Sequence, residues 1–299
     1  MTFNSIQYCH RARARLHQVN RVALQWRLLL LWVVASLVPT ALLALPVWRI
    51  LASQLDHSVN AARWATQLDG IVLGDLIGKL TENAEALSNA GIAALLVTLL
   101  LSPLLNGAVV AASRSQKPLP FSGLIAGAAQ DYGRMLRMLL WAIVPLGIAA
   151  GLAAGGEGLA KKYAARAILE ADANLVSNAI LVVSAVLLLL AHLTADSGRA
   201  QLARYPKRTS AVKAWWRGCK LIKANLGASL RYFGGITVLG LAVALGVTAL
   251  RVALPQLGLA WFALGLVLAQ LAVLAIGWMR IARLVALIDL AHRTRALPR

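Results

Sequence analysis

Six long apolar stretches, nearly free of charge, constrain this chain more than any other feature. They are Leu28–Trp48, Gly91–Ala112, Met138–Gly155, Ser177–Ala195, Gly234–Leu254 and Leu257–Met279. Each comes close to the roughly 20 apolar residues that carry a helix across the hydrocarbon layer of a bilayer. No water reaches the backbone there, so its N–H and C=O groups must pair within the segment, as they do in a helix. A soluble core has no use for six such runs. Composition agrees: 60% of the 299 residues are hydrophobic and 14% charged, against about 25% charged in an average soluble domain. The expected fold is all-α, a polytopic membrane protein with six transmembrane helices and additional amphipathic interfacial helices. Its parts are a basic N-terminal segment 1–27, a six-helix membrane domain 28–279 and a basic tail 280–299. Pro255 and Gln256 leave almost no loop between the last two runs, which predicts a tight antiparallel hairpin.

Lysine and arginine set the expected orientation, because cytoplasmic flanks retain an excess of them. With the N-terminus in the cytoplasm, 23 of the 30 basic residues fall inside and 7 outside, while the acidic residues divide three inside and eight outside. An even number of spans then keeps both termini cytoplasmic. The first run is longer than the apolar core of about 7–15 residues in a cleaved signal. No small-x-small site closes it either, since Leu42 stands two residues before Ala44. It reads as an uncleaved signal anchor. The Arg-rich, acid-free N-terminus also resembles a mitochondrial presequence, but a bacterial inner membrane accommodates the spans and the charge bias more simply. Cys9 and Cys219 both fall on the cytoplasmic side, a reducing compartment where no structural disulfide is expected.

Segment 49–90 reads as two amphipathic helices against the outer face. One covers about Ile50–Leu68 and the other about Ile71–Leu87, with Gly70 and Gly74 at the joint. It is either a periplasmic lid or docking surface, or a plain helical connector. Segment 196–233 is the most distinctive. Tyr205-Pro206 ends the helix leaving the fourth span, and Thr209 or Ser210 can cap a new one. On the new helix Val212, Trp215, Trp216, Cys219, Ile222 and Leu226 gather on one side and Lys213, Arg217 and Lys220 on another, with Lys223 snorkelling from the apolar edge. A basic, tryptophan-bearing amphipathic helix suits contact with anionic lipid. Alternatively its apolar face packs beneath the bundle and its charge only fixes topology.

An internal similarity is also present. Span two, Phe121–Arg134 and span three follow the plan helix, basic turn with proline, amphipathic helix, helix. Span four, Thr209–Leu226 and span five follow it again, as a parallel repeat would.

Chemistry is sparse. Within the runs the ionisable groups are His192 and Arg251, both close enough to an end to snorkel. Ion-coupled transport ordinarily uses intramembrane acids and bases. Ser102 and Asn106, either side of Pro103, form the one suggested polar site in the bundle. Gly147, Gly151 and Gly155 make a small-residue stripe suited to helix packing, within one chain or between two. No zinc-protease, P-loop or nucleophile-elbow motif is present, so no catalytic residue, cofactor or metal is expected. Asp196-Ser197-Gly198-Arg199-Ala200 resembles the opening of the CDP-alcohol phosphotransferase motif but lacks its later paired aspartates. The plain reading of Asp196 and Arg199 is an ion pair one turn apart. Positive charge is spread over four juxtamembrane flanks, so nucleic acid is not an expected partner.

Asp196-x-x-Arg199-Ala200 with Ser210-Ala211-Val212-x-Ala214 is similar to a motif of uncharacterised six-span bacterial membrane proteins. So are Phe121, Gly127, Tyr132-Gly133-Arg134-x-x-Arg137, and Gln270 followed by Arg280 and Arg283. The plan over 91–290 also resembles the membrane domain attached to some glycerophosphodiester phosphodiesterases. That resemblance implies fold and location; without the soluble catalytic domain it implies no phosphodiesterase activity. The leading expectation is a non-enzymatic accessory or scaffold subunit engaging the bilayer, its anionic lipids or a membrane-protein partner. The alternative is a permease or transport component for an apolar or amphiphilic solute.

Overall fold

Sequence periodicity becomes eight helices in the computed structural model, which describes residues 21–55, 70–115, 117–167, 169–205, 210–254 and 258–293. In chain order they are α1 (Trp26–Leu55), α2 (Gly70–Glu82), α3 (Ala84–Arg114) and α4 (Phe121–Ala164). Then come α5 (Glu170–Arg204), α6 (Ala211–Ala224), α7 (Leu226–Ala253) and α8 (Leu259–Arg293). The structure is 93% helical with no strand among the described residues. Helices α1, α3, α4, α5, α7 and α8 are each long and apolar enough to cross a bilayer. The chain is thus an all-α, multi-pass membrane protein.

Among the described residues each expected span lies within one of these helices, apart from Leu254 at the end of the fifth and Gly258 near the start of the sixth, but the helices outrun the spans. At 1.5 Å per residue, the 44 residues of α4 extend to about 66 Å, twice the hydrocarbon thickness. Phe121–Arg134, expected as a separate amphipathic piece, is continuous with the third span. Its counterpart α6 is separated from α7 by a break at Asn225. The two units of the suggested repeat therefore differ at this joint. Residues 280–293 of the basic tail are helical. They form the last turns of α8, and Ile281–Ile288 is buried without interruption. A helical segment apolar almost all round belongs inside a protein. Of the two helices expected over 49–90, the second corresponds to α2, with a break at Asn83 before α3. The first lies outside the described residues beyond Leu55, as do Cys9, Thr209 and the Pro255-Gln256 hairpin.

Helix α1 packs on α3 and α8, α3 on α4, α4 on α5, and α5 on α8, with α7 against α8 and α6 across α5. The core gathers at one end of this arrangement, among the end of α3, the start of α4 and the ends of α5 and α8. The opposite half presents leucine and valine outward, such as Leu181, Leu245 and Val252. In water that surface would aggregate; in a bilayer it meets lipid.

Arginines tie the packed end together. A helix leaves its last four carbonyls without intrahelical partners, and cations are favoured there. Arg114 donates to the carbonyl of Ala203 at 2.9 and 3.2 Å and to Asp131 at 2.8 Å. Arg134 donates to Asp131, to the carbonyl of Leu202 and, at 2.9 Å, to that of Tyr205. Arg204 in turn donates to the carbonyl of Ala291 near the end of α8. One buried aspartate, Asp131, thus holds two arginines that cap α5.

Glycines mark where helices touch most closely. A Cβ on Gly218 would stand 2.5 Å from Ser197 Oγ and 2.8 Å from the Gly198 nitrogen, and one on Gly127 would stand 2.4 Å from the Ala111 Cβ. The stripe with packing spacing lies open in the single chain. Gly147, Gly151 and Gly155 are exposed and have nothing within 4 Å of a Cβ position among the described residues. Their spacing permits a close neighbour, but no helix among the described residues supplies one.

Candidate functional site

A cavity of about 470 Å³ opens between the spanning helices, with lining residues from all six. Its walls divide by register. Leu146, Leu189, Leu241 and Ile276 lie inside the expected spans, whereas Asp196, Arg199, Arg280 and Arg283 follow the ends of spans four and six. The cavity is therefore mostly apolar toward the middle of the bundle, with Ser102, Asn106 and Thr237 as polar exceptions, and charged toward its packed end. Ser102 and Asn106 line it together, and the Asn106 amide donates to Ser102 Oγ at 3.4 Å. They meet because they stand four residues apart on α3, on one helix face. His192 also reaches the wall, with Nδ1 2.9 Å from the carbonyl of Leu188.

The charges do not balance. The wall carries three guanidinium groups and one carboxylate. Arg199 donates to Asp196 one turn before it on α5, the ion pair read from the sequence. Arg280 and Arg283 have no carboxylate at ion-pair distance among the described residues. Arg283 is only 8% exposed. It donates weakly to Thr237 Oγ1 at 3.4 Å and lies 4.7 Å over the Phe233 ring, while its Nε has no partner. Arg280 is open to solvent and lies 5.8 Å from the centre of the Trp32 ring. Cation–π contact offsets part of the desolvation cost. A buried guanidinium without an anion is nonetheless expensive, since its full solvation is lost.

Ser102 and Asn106, the polar pair suggested by the sequence, line the cavity, whereas Arg280 and Arg283 entered the sequence reading only through the motif resemblance and the basic count. Both were counted as topology determinants, because positive charge after a span gives the same signal whether it points outward or back into the bundle.

Helix α6 is the second candidate. Ser210 caps it, accepting from the backbone nitrogen of Lys213 at 3.4 Å. Its buried face is made of small residues and one leucine. Ala211, Ala214, Gly218 and Leu221 are buried, whereas Val212, Trp216 and Leu226 are exposed and Trp215 is half-buried. The crossing at Gly198 and Gly218 leaves no room for large side chains, so small residues face inward. Trp215 turns sideways to meet Trp141, ring centres 5.8 Å apart. Val212 and Trp216 then share the outer face with Lys213, Arg217 and Lys220 in a shallow groove, and Lys223 is exposed nearby. Burial pushes the Cys219 thiol above its ordinary range.

Comparison with protein-family models, with curated proteins and with solved structures gives no match. The functional reading therefore rests on the cavity and on α6.

Proposed function

We propose that this multi-pass protein is non-enzymatic, sits in a bacterial inner membrane with both termini cytoplasmic, and receives an amphiphilic solute as a permease or transport component. The observation that carries this reading is the cavity beside Asn106, apolar toward mid-membrane and charged toward the packed end. Its size falls within the roughly 300–1,000 Å³ of small-molecule sites. The 23-to-7 division of basic residues supports the orientation, which places the charged end at the cytoplasmic leaflet. The test is native mass spectrometry of the chain released from mild detergent. A retained amphiphile is expected, lost when Leu241→Trp fills the cavity. A chain that carries none, and gains none when amphiphiles are added, overturns the reading.

A second reading, an accessory or scaffold subunit engaging anionic lipid, is favoured by the exposed Val212 and Trp216 among cations on α6. Each cation near an anionic surface contributes about 1 kcal/mol. Lys213, Arg217 and Lys220 together would give a synthetic 209–226 segment about a hundredfold preference for anionic over neutral vesicles. Equal, negligible binding to both removes this reading.

A further inference from the structure

We propose that the cavity selects an amphiphile whose headgroup is a phosphate monoester, held between Arg280 and Arg283, with its apolar tail along Leu146, Leu189, Leu241 and Ile276. The inference rests on the amphiphile reading above and names the chemistry of the head.

Arg283 carries the argument. It is nine-tenths buried, lines the cavity, has an unpartnered Nε and has no carboxylate at ion-pair distance among the described residues, Asp196 on the same wall being paired with Arg199. Its one hydrogen bond to a side chain is the long contact with Thr237. A guanidinium presents five donors in a planar fork that fits phosphate and carboxylate oxygens two at a time. Arg280, one turn earlier on α8, is on the same helix face and the same wall. Arg199 is already neutralised by Asp196, so two positive charges remain. A carboxylate or a phosphodiester supplies one negative charge and leaves one guanidinium unmatched. A phosphate monoester supplies close to two at neutral pH. Ser102 and Asn106, which lie within the second span as the leucines lie within theirs, add a hydroxyl and an amide to the same wall. The register fixes the direction of the tail, because the guanidiniums follow the spans and the leucines lie within them.

The experiment uses the full chain in neutral detergent, titrated with four probes and followed by native mass spectrometry. They are dioleoyl phosphatidic acid, dioleoyl phosphatidylglycerol, dioleoylglycerol and inorganic phosphate. The expected order is phosphatidic acid first and phosphatidylglycerol weaker, with dioleoylglycerol and inorganic phosphate weakest because each lacks half of the ligand. Arg283→Gln and Arg280→Gln should each weaken phosphatidic acid by about tenfold or more and leave dioleoylglycerol unchanged. Arg231→Gln, which removes an exposed charge at the start of α7, should change neither. If Arg283→Gln fails to fold, Arg280→Gln still decides, since Arg280 is exposed. Equal binding of phosphatidic acid and dioleoylglycerol, indifferent to both substitutions, overturns the headgroup assignment and leaves the amphiphile reading standing. Inorganic phosphate binding as tightly as phosphatidic acid overturns the tail and makes the site one for a free anion. Binding of none of the four overturns this inference together with the reading beneath it.

Discussion

Single residues decide how charge is tolerated at the packed end. Asp131 is buried and answers two arginines, which also satisfy the carbonyls that α5 leaves open. Removing one partner of a buried ion pair costs more than the pair contributes, because the remaining charge loses both its solvent and its counter-charge. Asp131→Ala should therefore destabilise the protein by about 3 kcal/mol or more, read as a lowered thermal midpoint in detergent. Asp131→Asn should cost less, since its amide oxygen still accepts. An unchanged midpoint for both would show that the arginines are held by the α5 carbonyls alone. Cys219 makes a separate point about burial. Desolvation disfavours the thiolate and pushes the thiol up, with its own backbone hydrogen bond opposing to a lesser degree. Only the thiolate reacts with a maleimide. In a Cys9→Ser background, labelling should be slower than for a free thiol at pH 8 and should rise at higher pH than the roughly 8.5 of an open cysteine. Labelling at the rate of a free thiol would contradict the half-buried setting.

At the scale of helices, much was legible. The spans follow from hydrophobic length, the end of α5 from Tyr205-Pro206, and the cap of α6 from Ser210, because each is dictated by groups within a few residues along the chain. The faces that meet were not legible. Gly147, Gly151 and Gly155 have the spacing of a packing stripe, yet they stand open, while α5 and α6 approach closely at Gly198 and Gly218, which no such stripe marks. Spacing states what a helix permits; only a neighbour's position states what it uses. The same reason hid the small buried face of α6 behind its conspicuous tryptophans, and left 280–293 read as a tail when its neighbours bury it. A substitution pair separates the two glycine sets. Gly218→Val should displace α6 from α5 and lower the thermal midpoint, since even a Cβ there meets Ser197 and the backbone of Gly198. Gly151→Ala should be neutral or stabilising, by no more than about 1 kcal/mol, from better helix propensity alone. Equal damage from both would mean that the open stripe is covered in solution.

For the whole molecule, the site was half legible for a reason of symmetry between two uses of arginine. Ser102 and Asn106 stood out because polar groups are rare inside apolar runs. Arg280 and Arg283 did not, because the excess of basic residues at one end of every span already accounts for them. Only the packing of α8 among α1, α5 and α7 turns them toward a shared space. The same charges can do both tasks, and this joins topology to binding: the end of the bundle rich in arginine is the end at which the cavity is charged. The expected orientation and the leaflet at which the cavity is charged therefore stand or fall together. A reporter enzyme active only in the cytoplasm, fused after Arg299, should be active. In a Cys9→Ser, Cys219→Ser background, Arg280→Cys should resist a membrane-impermeant thiol reagent applied to intact spheroplasts and react in inside-out vesicles, since residue 280 is exposed at that end. Reaction from the periplasmic side would invert the protein, move its arginines against the charge rule that orients membrane chains, and place the cavity's charged end on the opposite leaflet.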